Sequence, residues 1–80
     1  MRVVTQIPHP DFKITVFGTE RYYYIEIEAG PMKQAYKLPK DKAPGLEAVQ
    51  KWLSEEFLKE VHSIFESMYR NHLGSIKGNL

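Results

Sequence analysis

Polar and apolar positions alternate along the first half of the chain and then change period. In residues 12–17, Phe12, Ile14 and Val16 fall on one side and Lys13, Thr15 and Phe17 on the other. In residues 21–28, Tyr23, Ile25 and Ile27 oppose Tyr22, Tyr24, Glu26 and Glu28. In residues 32–38, Gln34, Tyr36 and Leu38 oppose Lys33, Ala35 and Lys37. Alternation of this kind, bounded by Gly18-Thr19-Glu20 and Ala29-Gly30-Pro31, predicts half-buried strands. Connections this short make consecutive strands antiparallel hairpins. Residues 2–7 are short and β-branched and read as a further strand at an edge, ended by Pro8-His9-Pro10-Asp11, where proline removes a donor and restricts its neighbour.

From Leu46 onward the spacing becomes helical. Leu46, Val49, Leu53, Phe57, Val61, Ile64 and Met68 recur at steps of three and four, an apolar stripe widened on one flank by Leu58, Phe65 and Tyr69. Pro44 suits a first helical turn. The stripe passes Ser54-Glu55-Glu56 without changing register, which favours one continuous helix; the alternative is a second helix capped by Ser54. Gly74 reads as the helix stop, giving a single domain over residues 1–73 and a flexible tail over 74–80.

These elements predict an α+β fold, a three- or four-stranded antiparallel β-meander packed against a C-terminal helical region of one long helix or two. The sheet's apolar face would be Phe12, Ile14, Val16, Tyr23, Ile25, Ile27, Tyr36 and Leu38. An unbroken helix over residues 46–72 would be about 40 Å long, against roughly 20–27 Å for the strands. The excess must bend back, form a second helix, or bury its apolar side against another chain. The last option leads to the expectation of a homodimer through the C-terminal half of the helical region.

Composition narrows the function classes. The chain has 80 residues, 42% of them hydrophobic, a formal net charge of +1 and no cysteine. Disulfides are excluded, and a domain this small is stabilised most simply by good packing or by a partner subunit. The N-terminal residues lack the apolar run of a signal peptide, and no segment reaches the ~20 apolar residues of a membrane span. The expectation is a cytoplasmic protein without membrane contact.

The residues offer little for catalysis. A nucleophile needs a positioned base, and neither a Gly-x-Ser-x-Gly turn nor a glycine-rich phosphate loop occurs. His62 and Glu66 can share a helix face, but a metal centre needs a third ligand, so they read as an exposed pair. His9-Pro10-Asp11 matches the tripeptide of J-domain co-chaperones, but that tripeptide sits in a helical hairpin and this one lies between strands, so it reads as a turn with Asp11 capping the local backbone. The expectation is a non-enzyme with no metal or cofactor.

Two surfaces remain for partners. The polar face of the sheet carries Lys13, Thr15, Phe17, Tyr22, Tyr24, Lys33 and Lys37. Aromatics beside lysines suit a protein partner and, alternatively, stacked bases with their phosphates, although Glu26 and Glu28 on the same face and the near-zero net charge disfavour nucleic acid. The second surface is helical: Leu58, Phe65 and Tyr69, with Trp52 off the main stripe as either a cover for the sheet edge or a partner anchor. The leading expectation is a protein–protein interaction domain, self-associating through these residues; the alternative is a nucleic-acid-binding module using the tyrosine and lysine face. The order of residues 12–17, 23–28 and 34–38 before an amphipathic helix resembles short bacterial proteins of about this size. The resemblance implies a β-meander-plus-helix domain and brings no activity, cofactor or catalytic residue.

Overall fold

The structure, a computed structural model, describes residues 1–78, with side chains placed through Ile76. It is an α+β fold of two layers. Strands β1 (Arg2–Ile7), β2 (Lys13–Gly18), β3 (Tyr22–Ala29) and β4 (Met32–Pro39) form one antiparallel sheet in chain order, followed by α1 (Leu46–Trp52) and α2 (Glu55–Gly78). Residues 2–7 do form a strand, paired along one edge to β2 with a bulge between Val3 and Thr5.

Each hairpin follows from its turn residues. Between β2 and β3, the Thr19 hydroxyl accepts the amide hydrogens of Arg21 and Tyr22 at 3.3 and 3.1 Å, and the Thr19 amide donates to the Tyr22 carbonyl at 2.9 Å. Between β3 and β4, Gly30 has φ +59° and no other residue type has a positive φ, among the described residues. A two-residue Gly-Pro loop with only its first member left-handed is a type II′ turn, whose twist matches the flanking strands.

The apolar face expected from the alternation is the face that is buried. Ile14, Ile25, Ile27 and Val16 are sealed from solvent, flanked by Phe12 and Tyr23, with Tyr36 and Leu38 half-buried at the β4 side. Val49 of α1, Leu53 at its C-cap, and Val61 and Phe65 of α2 cover it. Each fully buried aliphatic side chain contributes about 1.5–3 kcal/mol relative to solvent exposure.

The helical region departs from the expected continuous helix in three ways. It breaks at Leu53 and Ser54, where the Ser54 hydroxyl accepts the amide hydrogen of Phe57 at 3.1 Å and the Ser54 carbonyl takes that of Leu58 at 2.9 Å. Glu55 and Glu56 follow in the first turn, where carboxylates complement the helix dipole. The break brings the rings of Trp52 and Phe57 to 4.3 Å between centroids; in an unbroken helix residues five apart sit about 140° apart around the axis and cannot touch. Second, Pro44 precedes the helix instead of opening it, because Gly45 is the N-cap residue. Third, Gly74 does not stop α2, which continues to Gly78. A glycine inside a helix costs only about 1 kcal/mol relative to alanine, too little to end a helix of this length. The tail expected over 74–80 is therefore helical as far as Gly78, and its last two residues lie outside the described part.

Candidate interaction surfaces

The uncovered face of the sheet carries the expected tyrosines and lysines, and the strand register pairs them. Lys13 stands opposite Glu28 and Phe17 opposite Tyr24 across β2 and β3; Lys33 stands opposite Glu28 and Lys37 opposite Tyr24 across β3 and β4. Lys33 lies 3.5 Å from Glu26 and 3.8 Å from Glu28. The Lys37 ammonium sits over the Tyr22 ring at 5.2 Å, and the Phe17 and Tyr24 rings are 6.2 Å apart and tilted. Thr15 is buried beneath these neighbours. Lys33 is thus held from within the face: a phosphate would have to draw it away from two carboxylates. Exposed pairs of this kind contribute at most about 1 kcal/mol, and they offset part of the positive charge on which phosphate binding depends.

The helical candidates separate. Phe65 is 5% exposed, 5.6 Å from the Phe12 ring, and belongs to the core. Leu58 is half-buried against the same core. Both pack toward the sheet, because α2 rolls its Val61 and Phe65 side onto it, which turns Ile64 outward to 42% exposure. Trp52 is half-buried and meets Tyr36 edge to face at 5.4 Å, so it covers edge strand β4; with Phe57 it forms a three-ring cluster closed upon itself. Tyr69 is the one member of the widened flank that stays open, at 48%.

Beyond Met68, α2 leaves the sheet. Its 24 residues span about 36 Å, whereas the eight-residue strands β3 and β4 span about 27 Å. The C-terminal part of α2 carries Tyr69, Leu73 and Ile76, which are 48%, 36% and 43% exposed. Leu73 and Ile76 flank Gly74, where the sequence predicts the helix to end; their spacing from Tyr69, four and then three, is the helical signal that continues past it.

At the root of this projection lies a groove of about 460 Å³. Phe12, Ala29, Met32, Phe65 and Tyr69 form its apolar lining, and Asp11, His62, Glu66 and Arg70 its rim. His62 and Glu66 are an exposed pair 3.4 Å apart. Beside them His9 stacks on Phe12 at 4.8 Å and its Nδ1 accepts the Asp11 amide hydrogen at 3.0 Å. The cap in this turn is thus supplied by His9 and not, as expected, by Asp11. Among the described residues no three metal-ligating side chains converge, and no helix is long and apolar enough to cross a membrane. Comparison with protein-family models, with curated proteins and with solved structures finds no match.

Proposed function

We propose that this chain is a small, non-catalytic protein–protein interaction domain whose binding surface is the projecting half of α2 together with the groove at its root. One observation carries the reading: Tyr69, Leu73 and Ile76 form an exposed apolar row along the C-terminal part of α2. Single exposed apolar residues are ordinary on any surface, but a contiguous row beside an apolar groove is the pattern of an interface. The lysines and tyrosines of the sheet play a lesser part, because Lys33 and Lys37 already have partners on that face. The Lys33 pairing and the near-zero net charge favour this reading over the nucleic-acid alternative.

A photo-activatable side chain placed at Leu73 tests the reading, with Lys51 on α1 as the exposed control. A discrete protein adduct at position 73 that is absent at position 51 is the expected result. Absence of any adduct at 73, to itself or to another protein, both at high concentration and in cells, refutes it.

A further inference from the structure

We infer that the rim where β1 and β3 begin and β2 and β4 end is a second docking surface, and that it takes an extended segment of a partner protein in which carboxylates alternate with apolar side chains. The inference goes beyond the α2 surface and uses none of its residues.

Position comes first. The register sets Arg2 opposite Gly18, Gly18 opposite Tyr23, and Tyr22 opposite Pro39. The Lys40 amide donates to the Arg21 carbonyl at 2.9 Å. Arg2, Arg21, Lys40 and Lys42 therefore share one end of the sheet, and Lys37 leans toward it over the Tyr22 ring. The carboxylates beside them are Glu20 and Asp41. Among the described residues none of these cations is in an ion pair. Glu26 and Glu28 are drawn to Lys33, toward the other end. Charges act over only about 8 Å at physiological ionic strength, so the rim presents its own basic excess whatever the total for the chain.

Shape comes second. A notch of about 560 Å³ opens between Arg2 and Lys40. Gly18 lines it, and a methyl group added there would come within 2.7 Å of Val4. The bulge between Val3 and Thr5 leaves Val4 without a partner on β2 and lays it against Gly18; bulges re-aim side chains in this way. The Lys40 ammonium is held 4.9 Å from the centre of the Tyr23 ring. A ring positions an ammonium without cancelling its charge, so less freedom is lost when an anion arrives.

The occupant follows from what lies beside the charge. Val3 and Val4 are 55% and 39% exposed next to Arg2, and β1 is paired on one side only. Cations interleaved with bare valines are complementary to carboxylates interleaved with apolar side chains. A segment of that kind can lie along the open edge of β1, as extended peptides do on other sheet edges, and turn one carboxylate into the notch. A phosphate backbone would leave the valines unmatched. Tyr23, the ring at the notch, is buried under Lys40 and offers a base no platform.

The test titrates the purified full chain with a synthetic peptide of alternating glutamate and valine, following backbone amide resonances into the millimolar range of peptide. The amides of Arg2, Val4, Gly18 and Lys40 should shift, and binding should weaken as salt is raised. A peptide with glutamine in place of glutamate should leave them unmoved. Arg2→Glu together with Lys40→Glu should weaken binding roughly tenfold or more, while circular dichroism stays that of the parent. Arg21→Gln together with Lys42→Gln leaves the Lys40 and Tyr23 contact in place and should weaken binding in the same direction. Lys13→Glu, at the far end of β2, should bind as the parent does. No shift with the glutamate peptide, equal binding of the glutamine peptide, rim variants that bind as well as the parent, or a Lys13→Glu loss as large as theirs each overturn the inference. Tighter binding of a single-stranded oligonucleotide of equal charge also overturns it, by assigning the rim to nucleic acid. None of these results touches the α2 surface, which stands or falls on the adduct at position 73.

Discussion

The Gln34 side chain donates through Nε2 to the main-chain carbonyl of Val61 at 3.0 Å, tying edge strand β4 to the middle of α2. Gln34 is buried on an otherwise apolar face, and its Oε1 accepts the Tyr36 hydroxyl hydrogen. Among the described residues no buried side-chain polar atom lacks a partner, so the pair sets the position of α2 without an unsatisfied group. Gln34→Ala should lower stability by about 1–3 kcal/mol, since it leaves a void and strands the Tyr36 hydroxyl. Gln34→Leu together with Tyr36→Phe should recover most of that loss, because both polar partners are then gone. Urea denaturation with an unchanged slope is the measurement.

The cap at Ser54 is what makes two helices of one stripe. Ser54→Ala removes the acceptor for the Phe57 amide hydrogen and should cost about 1 kcal/mol. Ser54→Asp should be neutral or slightly stabilising, because a carboxylate accepts the same hydrogen and complements the helix dipole. Trp52 lies against Phe57 across the break, so its fluorescence during unfolding reports this junction directly.

Gly30 holds the β3–β4 turn at φ +59°. A methyl group added there meets no atom within 4 Å, so any penalty is conformational and not steric. Gly30→Ala should cost about 1–2 kcal/mol, the price of a left-handed L-residue, and Gly30→Asn clearly less. Thermal unfolding of the two variants side by side checks the order.

The sheet was legible because its signal is local: alternation at Phe12, Ile14, Val16, Tyr23, Ile25 and Ile27 states which side is buried, and glycine and proline state where each strand turns. The helix break was not legible, because the apolar row passes through Ser54 in register and only the meeting of Trp52, Phe57 and Tyr36 in three dimensions favours bending. Gln34 was visible on the buried side of β4, but its partner is a main-chain carbonyl on a distant element, which carries no sequence mark. Phe65 and Tyr69 looked alike as flank residues four apart. Which of them meets the sheet depends on how far α2 rolls and where the sheet ends, and both are tertiary quantities. The groove likewise arises from placing Phe12, Ala29 and Met32 beside α2, and no spacing along the chain announces it.

The difference between Phe65 and Leu73 can be measured, because both lie on one side of α2, Phe65 at 5% exposure and Leu73 at 36%. Phe65 is in the core, against Phe12. Phe65→Ala should lose about 3–5 kcal/mol, a large share of the roughly 5–15 kcal/mol available to a domain, and should do so at every protein concentration. Leu73 is exposed, so Leu73→Ala should change the stability of a dilute sample by no more than about 0.5 kcal/mol. If two copies bind at high concentration, the parent gains stability by mass action, and Leu73→Ala forfeits that gain. Unfolding midpoints recorded for both variants in dilute and concentrated samples therefore read out the two halves of α2 separately. A Leu73→Ala loss equal at both concentrations would place Leu73 inside the monomer core.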